Sequence, residues 1–318
     1  AVEGWTRAEL SQYYRTRGEW KPLVERTKSG ALLDKVGWRT RLEKAQKEPM
    51  SVMHLPGGAM AAAEGHSGYF SSVAAALVAD GFCAVNFGLE GRYDDFEPCA
   101  EACAEADSLR PAMRPSAGSD SAEVSVTSQE VGGLATRCPV LEGLQQALVG
   151  FALGLRVPLA SSALQLALTA HTDAKVAVLP PGVSAGQARF DRDRPPDGRG
   201  PEKRVDSDGV AYTQQEFATF YRGGWQARWA VAKPAKGDDD RRRLTAVLFL
   251  DNKWRAADGA ITTVYAFDEA NGAFRALQLP PKGDTLLLFR ADRVLYHVAP
   301  AANVPRRTLS AHFLGHYT

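Results

Sequence analysis

The sequence predicts an α+β fold, a β-rich core with helices packed on one side. Two observations lead there. Helical hydrophobic spacing dominates the first half of the chain, and from Ser161 onward short β-rich runs alternate with turn signals. The 318 residues, 45% apolar and 24% charged, supply a substantial core and exceed most single domains.

Residues 1–48 read as an N-terminal helical arm, in which Trp5, Leu10, Tyr13, Tyr14, Trp20 and Leu23 keep a loose helical period. Residues 49–68, rich in Gly, Ala and Met, read as a linker. A helix over Tyr69–Ala79 stops at Asp80-Gly81, and a strand over Phe82–Phe87 follows. A second helix spans Tyr93–Ser108, a Pro/Ser/Gly-rich loop runs from Arg110 to Asp120, and Val140–Leu155 forms an apolar helix. Strands are then expected at Leu164–Thr169, Val176–Leu179, Leu244–Leu250, Ile261–Phe267, Thr285–Phe289 and Arg307–Leu314. Pro180-Pro181-Gly182, Asp258-Gly259, Asn271-Gly272 and Lys282-Gly283 separate them.

An insertion at 194–240 interrupts the strands with Pro, Gly and charge around a central helix. It holds a weak internal repeat. Thr6 and Glu9 in the arm, and Thr213 and Glu216 in the insertion, each make a helix capping box followed by an aromatic pair. Two unrelated helix starts would share this pattern. A duplicated aromatic docking module would share it too, with protein partners met at Trp5–Trp20 and at Phe220–Trp229.

Lys plus Arg is 38 and Asp plus Glu is 37, a balance that argues against a nucleic-acid binder. The most apolar run, Val140–Leu168, is broken by Glu142, Arg156 and Pro158, so no membrane span is expected. Cys83, Cys99, Cys103 and Cys138 are too scattered for a disulfide scaffold. Cys99 and Cys103 share a helical face but lack zinc-site spacing, and read as half-buried thiols. The start at Ala1, without a methionine, reads as a processed presequence and an organelle, plastid or mitochondrion, with the cytoplasm as the alternative.

The chemistry-bearing residues lie in the last third. Arg243 to Trp254 precedes an Asp258-Gly259-Ala260 turn, and Lys282-Gly283 leads through Phe289 to His297 and then to Arg307 and Phe313. This run resembles the double-stranded β-helix, a jelly roll, of prolyl-4-hydroxylase-type iron(II)/2-oxoglutarate dioxygenases, most closely those of oxygen sensing. The resemblance covers residues 69–316 apart from the insertion and is specific from Arg243 to Phe313, within a domain read as 69–318. It implies two histidines and a carboxylate around iron, with open positions for 2-oxoglutarate and oxygen, and an arginine for the far carboxylate of the cosubstrate. His297 matches the late histidine and Arg307 the arginine. Strand alternation puts Arg307, Leu309, Ala311 and Phe313 on one face and His312 on the other, away from the expected ligands.

The first half of the metal motif departs from the family. Phe190 stands where the first histidine is expected and offers a metal no electron pair; a one-residue slip brings Asp191 and Asp193 to the ligand positions beside His297. His171-Thr172-Asp173 is a literal His-x-Asp, but it precedes the strand that the motif should follow, and a turn is the plainer role. Leu179 and Phe249 fall where the resembling hydroxylases carry tyrosines that hydrogen-bond the cosubstrate, and Ala260 replaces a turn glycine. Two readings follow. One is a degenerate, non-catalytic binding or structural subunit of a larger organellar assembly. The other is an active iron(II)/2-oxoglutarate-dependent prolyl or small-molecule hydroxylase. The aromatic module resembles one in nucleus-encoded algal proteins, which implies attachment to a plastid or mitochondrial complex.

Overall fold

The computed structural model describes residues 45, 47–55, 58–59, 67–89, 98–115, 123–183, 189–190, 203–205, 211–213, 228, 232–234, 241–251, 253–268, 273–291 and 294–317. The aromatic stretches Trp5–Trp20 and Phe220–Trp229, the repeat they belong to, and Asp191 and Asp193 lie outside the described residues.

Four α-helices are described: α1 (Ser67–Ala79), α2 (Pro98–Ser108), α3 (Pro139–Gly154) and α4 (Arg156–Ser161). The strands in chain order are β1 (Lys47–Pro49), β2 (Val52–Met53), β3 (Phe82–Asn86), β4 (Arg114–Pro115), β5 (Val124–Thr127), β6 (Leu166–His171), β7 (Lys175–Leu179), β8 (Arg189–Phe190) and β9 (Lys203–Val205). They continue with β10 (Ala211–Thr213), β11 (Lys233–Pro234), β12 (Arg241–Phe249), β13 (Thr262–Asp268), β14 (Ala273–Leu279), β15 (Thr285–Arg290), β16 (Leu295–Val298) and β17 (Arg306–Tyr317).

A large sheet runs in the order β2-β3-β15-β12-β17-β7-β5-β4, with β6 also on β17, and a smaller one in the order β1-β14-β13-β16-β8. From β7 onward the core chain winds between them. β7, β12, β15 and β17 enter the large sheet, while β8, β13, β14 and β16 enter the small one. This is the double-stranded β-helix. Strands β9, β10 and β11, all within the expected insertion, form a separate three-stranded sheet. The end of the stretch expected to be a helical arm supplies β1 instead, and the expected linker supplies β2; they add in parallel to β14 and to β3.

The large sheet is covered on both faces, which is why β15 reads as the nearly unbroken apolar run Thr-Leu-Leu-Leu-Phe-Arg and is buried throughout. One face meets the helices. Val73 and Leu77 of α1, Ala102 of α2, and Leu144, Leu148 and Phe151 of α3 pack against Val176, Leu248, Leu288, Leu309 and Phe313. The other face meets the small sheet, where Phe82, Phe249, Leu287 and Phe289 close on Val264, Leu277 and Leu279. Each fully buried large side chain contributes roughly 1.5–3 kcal/mol relative to exposure.

The helix seats are specific. Pro139 opens α3, and the Glu105 carboxylate of α2 accepts from the Val140 and Leu141 amides at 3.1 and 2.8 Å, placing negative charge at the positive end of α3. Gly154 lets the Phe70 ring lie where a Cβ would stand, since that atom would fall 2.3 Å from Phe70. By length and composition the 23 residues Pro139–Ser161 are apolar enough to cross a bilayer, although the charged breaks had suggested otherwise. In the fold their apolar stripe is used against the sheet.

Two core strands carry little sequence signal. β14 reads Ala-Phe-Arg-Ala-Leu-Gln-Leu, mostly residues of good helix propensity, and becomes a strand because β13 and β1 pair it on both sides. β16 has only four residues. The expected strand from Arg307 begins one residue earlier, at Arg306, and extends to Tyr317.

Candidate functional site: a buried arginine between the sheets

Alternation along β17 sorts its side chains between two environments. Leu309, Ala311 and Phe313 belong to the helix-side core, and Arg307 shares their face. Arg306, Thr308, Ser310 and His312 face the interior between the two sheets.

Arg307 is therefore occupied on the helix side. Its Nε and Nη2 donate to the Asp107 carboxylate of α2 at 3.1 and 2.7 Å, and its Nη1 donates to Asp251 Oδ1 at 2.7 Å. Its backbone amide donates to Asp251 Oδ2 at 2.7 Å. Burial works against the Arg307 charge, but Asp107 and Asp251 outweigh it and hold the guanidinium above its ordinary range. Burial raises the Asp251 carboxyl, and its bonds to Arg307 offset only part of that. Beside this clamp the Cys103 thiol donates to Leu250 O at 3.3 Å, and burial pushes it up to about 12. The clamp ties α2 to the start of β17 and leaves Arg307 no face toward a cosubstrate.

Arg306 takes the inward position. Its guanidinium crosses from the large sheet to the small one, where Nη2 donates to Thr262 Oγ1 of β13 at 3.3 Å. Its Cζ lies 5.1 Å from the centroid of the Phe249 ring. Arg306 is 7% exposed, its Nε is buried without a hydrogen-bond partner, and no carboxylate among the described residues pairs with it. Burial lowers its pKa, and the charge of Glu123 is the largest opposing influence. Glu123 is itself 3.5 Å from the buried Lys175 ammonium, on the same inner face. Leu179 stands opposite Arg306 in register, so Leu179 and Phe249 both lie at Arg306 and not at Arg307, the arginine with which they were grouped in the sequence. Neither offers a hydroxyl.

The Asp258-Gly259-Ala260 turn closes the sheets at the Leu179 end, opposite which Arg306 stands. Asp258 caps it by accepting from the Arg255 amide at 2.7 Å, and Ala260 N donates to Pro300 O at 2.9 Å. Gly259 has φ +68° and its Cβ would sit 2.5 Å from Pro300 O, so glycine is required there. Ala260 also adopts positive φ, at 55°. The turn holds the Pro300–Ala302 loop that leads into Arg306, with Leu179, Ala260, Val298 and Ala301 forming an apolar cluster under Tyr296.

His297 occupies the opposite side of the small sheet. Register places His297 beside Thr263 and Tyr296 beside Val264. Val264 and Tyr296 belong to the inter-sheet core, and Tyr296 stacks against Phe289 with centroids 5.2 Å apart. Tyr296 and Val298 thus point inward and His297 outward. Burial lowers the His297 pKa, and the nearby Lys47 charge adds to the effect. Phe190 pairs with Leu295 in the backbone register, which puts β8 beside β16 where the first half of the motif was expected. His171-Thr172-Asp173 ends β6 and turns into β7, with His171 exposed and its ring 6.1 Å from Phe313 on the helix side. His312 Nδ1 lies 3.2 Å from Thr245 Oγ1, buried toward the far end of the inner face.

Among the described residues no group of three His, Cys, Asp or Glu could hold a metal ion. The donor set that the described residues present there does not fit the iron(II) of the resembling enzymes. Sequence reasoning missed Arg306, Thr262, Tyr296, Lys175 and Glu123. For Arg306 a signal was available: Leu309, Ala311 and Phe313 are the apolar set that helices need, so the alternate set belongs to the chamber.

In structure the chain is similar to a prolyl hydroxylase solved with a hypoxia-inducible-factor oxygen degradation domain peptide from Trichoplax adhaerens. The two share 15% identity with a TM-score of 0.53, over 79% of this chain and 91% of that one. The fold is that of the prolyl-hydroxylase-type dioxygenases. A prolyl-4-hydroxylase from Pseudomonas putida is also similar, at 17% identity and a TM-score of 0.46, over 77% of this chain and 98% of that one. No curated protein sequence matches. Residues 202–233 match a family described as a domain of unknown function, DUF8284. That match falls inside the insertion at 194–240 and leaves the dioxygenase jelly roll outside it.

Proposed function

We propose that this chain is a non-catalytic binding protein on a dioxygenase fold, whose jelly-roll chamber receives a small organic anion at Arg306. The observation that carries the reading is the phase of β16. With Tyr296 and Val298 inward, His297 is on the outer face of the small sheet, and the chamber keeps an arginine without the described ligands for iron. Leu179 and Phe249 supply packing in place of hydrogen bonds. A protein that no longer turns over a cosubstrate would keep this fold for what it presents to partners. We assign that presentation to the aromatic arm and the 194–240 insertion, in an organellar assembly.

Iron(II) titration of the apo protein, followed by assay of 2-oxoglutarate conversion to succinate, tests the reading. The expected outcome is no stoichiometric iron and no turnover above the protein-free rate. Iron binding with turnover that vanishes in His297→Ala overturns it in favour of a working hydroxylase. Migration of the native protein on a sizing column tests the assembly. A complex far above the 34.3 kDa chain is expected, and a lone monomer overturns that part.

A further inference from the structure

One short segment spans the edges of both sheets. Residues 47–55 lay β1 along β14 in the small sheet and then β2 along β3 in the large one. Between them the Met50 amide donates to Gln278 O at 2.8 Å. The Met50 side chain enters the inter-sheet core, and Leu55 enters the helix-side core. The far end of this strap is pinned by a side chain that imitates a strand backbone. Asn86, the last residue of β3, accepts from the Leu55 amide at 2.6 Å through Oδ1 and donates to Leu55 O at 3.0 Å through Nδ2. Beyond it Gly58 seats against Gly88, where a Cβ would fall 2.3 Å from the Gly88 Cα.

The strap is lightly held. β1 and β2 are three and two residues long, and Lys47, Pro49 and Val52 are exposed. Segments with so few buried contacts open locally, below the free energy of global unfolding. Opening uncovers the ladder groups of β14 and β3, an acceptor for an added strand.

The segment shown to fit these edges is the strap itself. Its strand pairs and the Asn86 clasp all join residues 47–55 to residues beyond 80, so a strap delivered by a second copy makes them unchanged. Seven residues, Met60 to His66, tether it to α1 at Ser67, a reach of up to about 25 Å. The outer side of β1 is blunted by Lys47, Glu48 and Pro49, which has no N–H. A further strand is therefore disfavoured there, and reciprocal exchange closes on two copies. We propose that the strap of one copy seats on β14 and β3 of a second, giving a closed dimer by strand exchange. None of these contacts involves Arg306, so the dimer stands or falls apart from the metal-free reading.

Sedimentation and disulfide trapping on the full chain test it together. The parent chain should dimerise as its concentration approaches the effective concentration of the tethered strap, of the order of millimolar. Asn86→Ala should speed interconversion of monomer and dimer without shifting their ratio, because the clasp is present in both. Val52 pairs with Ala84 in register, so oxidising the double variant Val52→Cys/Ala84→Cys at low concentration should bridge positions 52 and 84 within one chain. Mixed and concentrated, the two single variants should form that same bridge between copies. Ala84 is buried, so position 84 meets position 52 only with the strap seated. A parent that stays monomeric, or a bridge that closes within chains and never between them, overturns the inference. If the cysteine variants fail to fold, an interconversion rate unchanged by Asn86→Ala overturns it instead.

Discussion

Two adjacent arginines on β17 have opposite lives. Arg307 faces the helices and is neutralised by Asp107 and Asp251 at hydrogen-bond distance. Arg306 faces the inter-sheet chamber, where Thr262 and the Phe249 ring are its neighbours and its Nε has no partner. The first is a clamp complete in the protein alone. The second meets one hydroxyl and one ring, and no carboxylate among the described residues pairs with it. Residue type does not separate them, and the pleat of the strand does.

Removing the two charges should therefore have effects of opposite sign. Arg307→Leu leaves Asp251 as a buried, unpaired carboxylate and should cost about 3–5 kcal/mol in urea unfolding. Arg306→Met removes a buried charge with no carboxylate partner among the described residues, and without ligand it should leave stability unchanged or raise it by about 1–4 kcal/mol. A destabilised Arg306→Met beside an unperturbed Arg307→Leu would reverse the assignment of the faces.

The same contrast continues along the strand. Phe313 is fully buried in the helix-side core, and Phe313→Ala should cost about 3 kcal/mol. Ser310, on the chamber face, donates only a long 3.4 Å bond to Lys175 O, so Ser310→Ala should change stability by less than about 1 kcal/mol. Comparable losses at both positions, measured by thermal unfolding, would mean that the chamber is packed as tightly as the helix side.

How much of this was legible follows from the same alternation. The jelly roll was readable because β7, β12, β15 and β17 are buried on both faces and announce themselves as β-branched and leucine-rich runs between Gly and Pro turns. The site was not, because a shift of one residue exchanges the two faces of a strand. His297 and Arg307 sit beside the inward residues Tyr296 and Arg306, and their residue types fit the expected chemistry. The apolar series Leu309, Ala311 and Phe313 shared a face with Arg307 and marked that face as helix-bound. Glu123 and Lys175 had no signal at all, since their pairing joins β5 to β7 across distant sequence.

The helix side also decides the behaviour of the thiols. Burial pushes both Cys83 and Cys103 up to about 12, and Asp251 adds to the effect on Cys103. Neither should form thiolate near neutral pH, so both should react with a disulfide reagent at the rate of unfolding. Arg307→Leu removes a positive charge that opposes the Cys103 shift, which pushes the thiol higher still, but it also frees Asp107 and loosens α2, and that local opening should speed labelling of Cys103 while leaving Cys83 slow in the folded protein. Equal acceleration at both thiols would mean that the clamp holds the whole fold rather than one helix edge.

The smallest effect distinguishes the two faces of β16. His297 has a pKa below its ordinary 6.5, lowered by burial and then by Lys47. The unfolded chain takes up that proton first as pH falls, so the folded state loses stability as pH drops through and below the ordinary histidine range. His297→Gln cannot be protonated and should lose less melting temperature than the parent protein between about pH 7.5 and about pH 5. Iron(II) should not shift either profile, because an outward His297 lends no nitrogen to the chamber. A metal-dependent rise in the parent alone would require β16 to slip by one residue, and with it the placement of Tyr296.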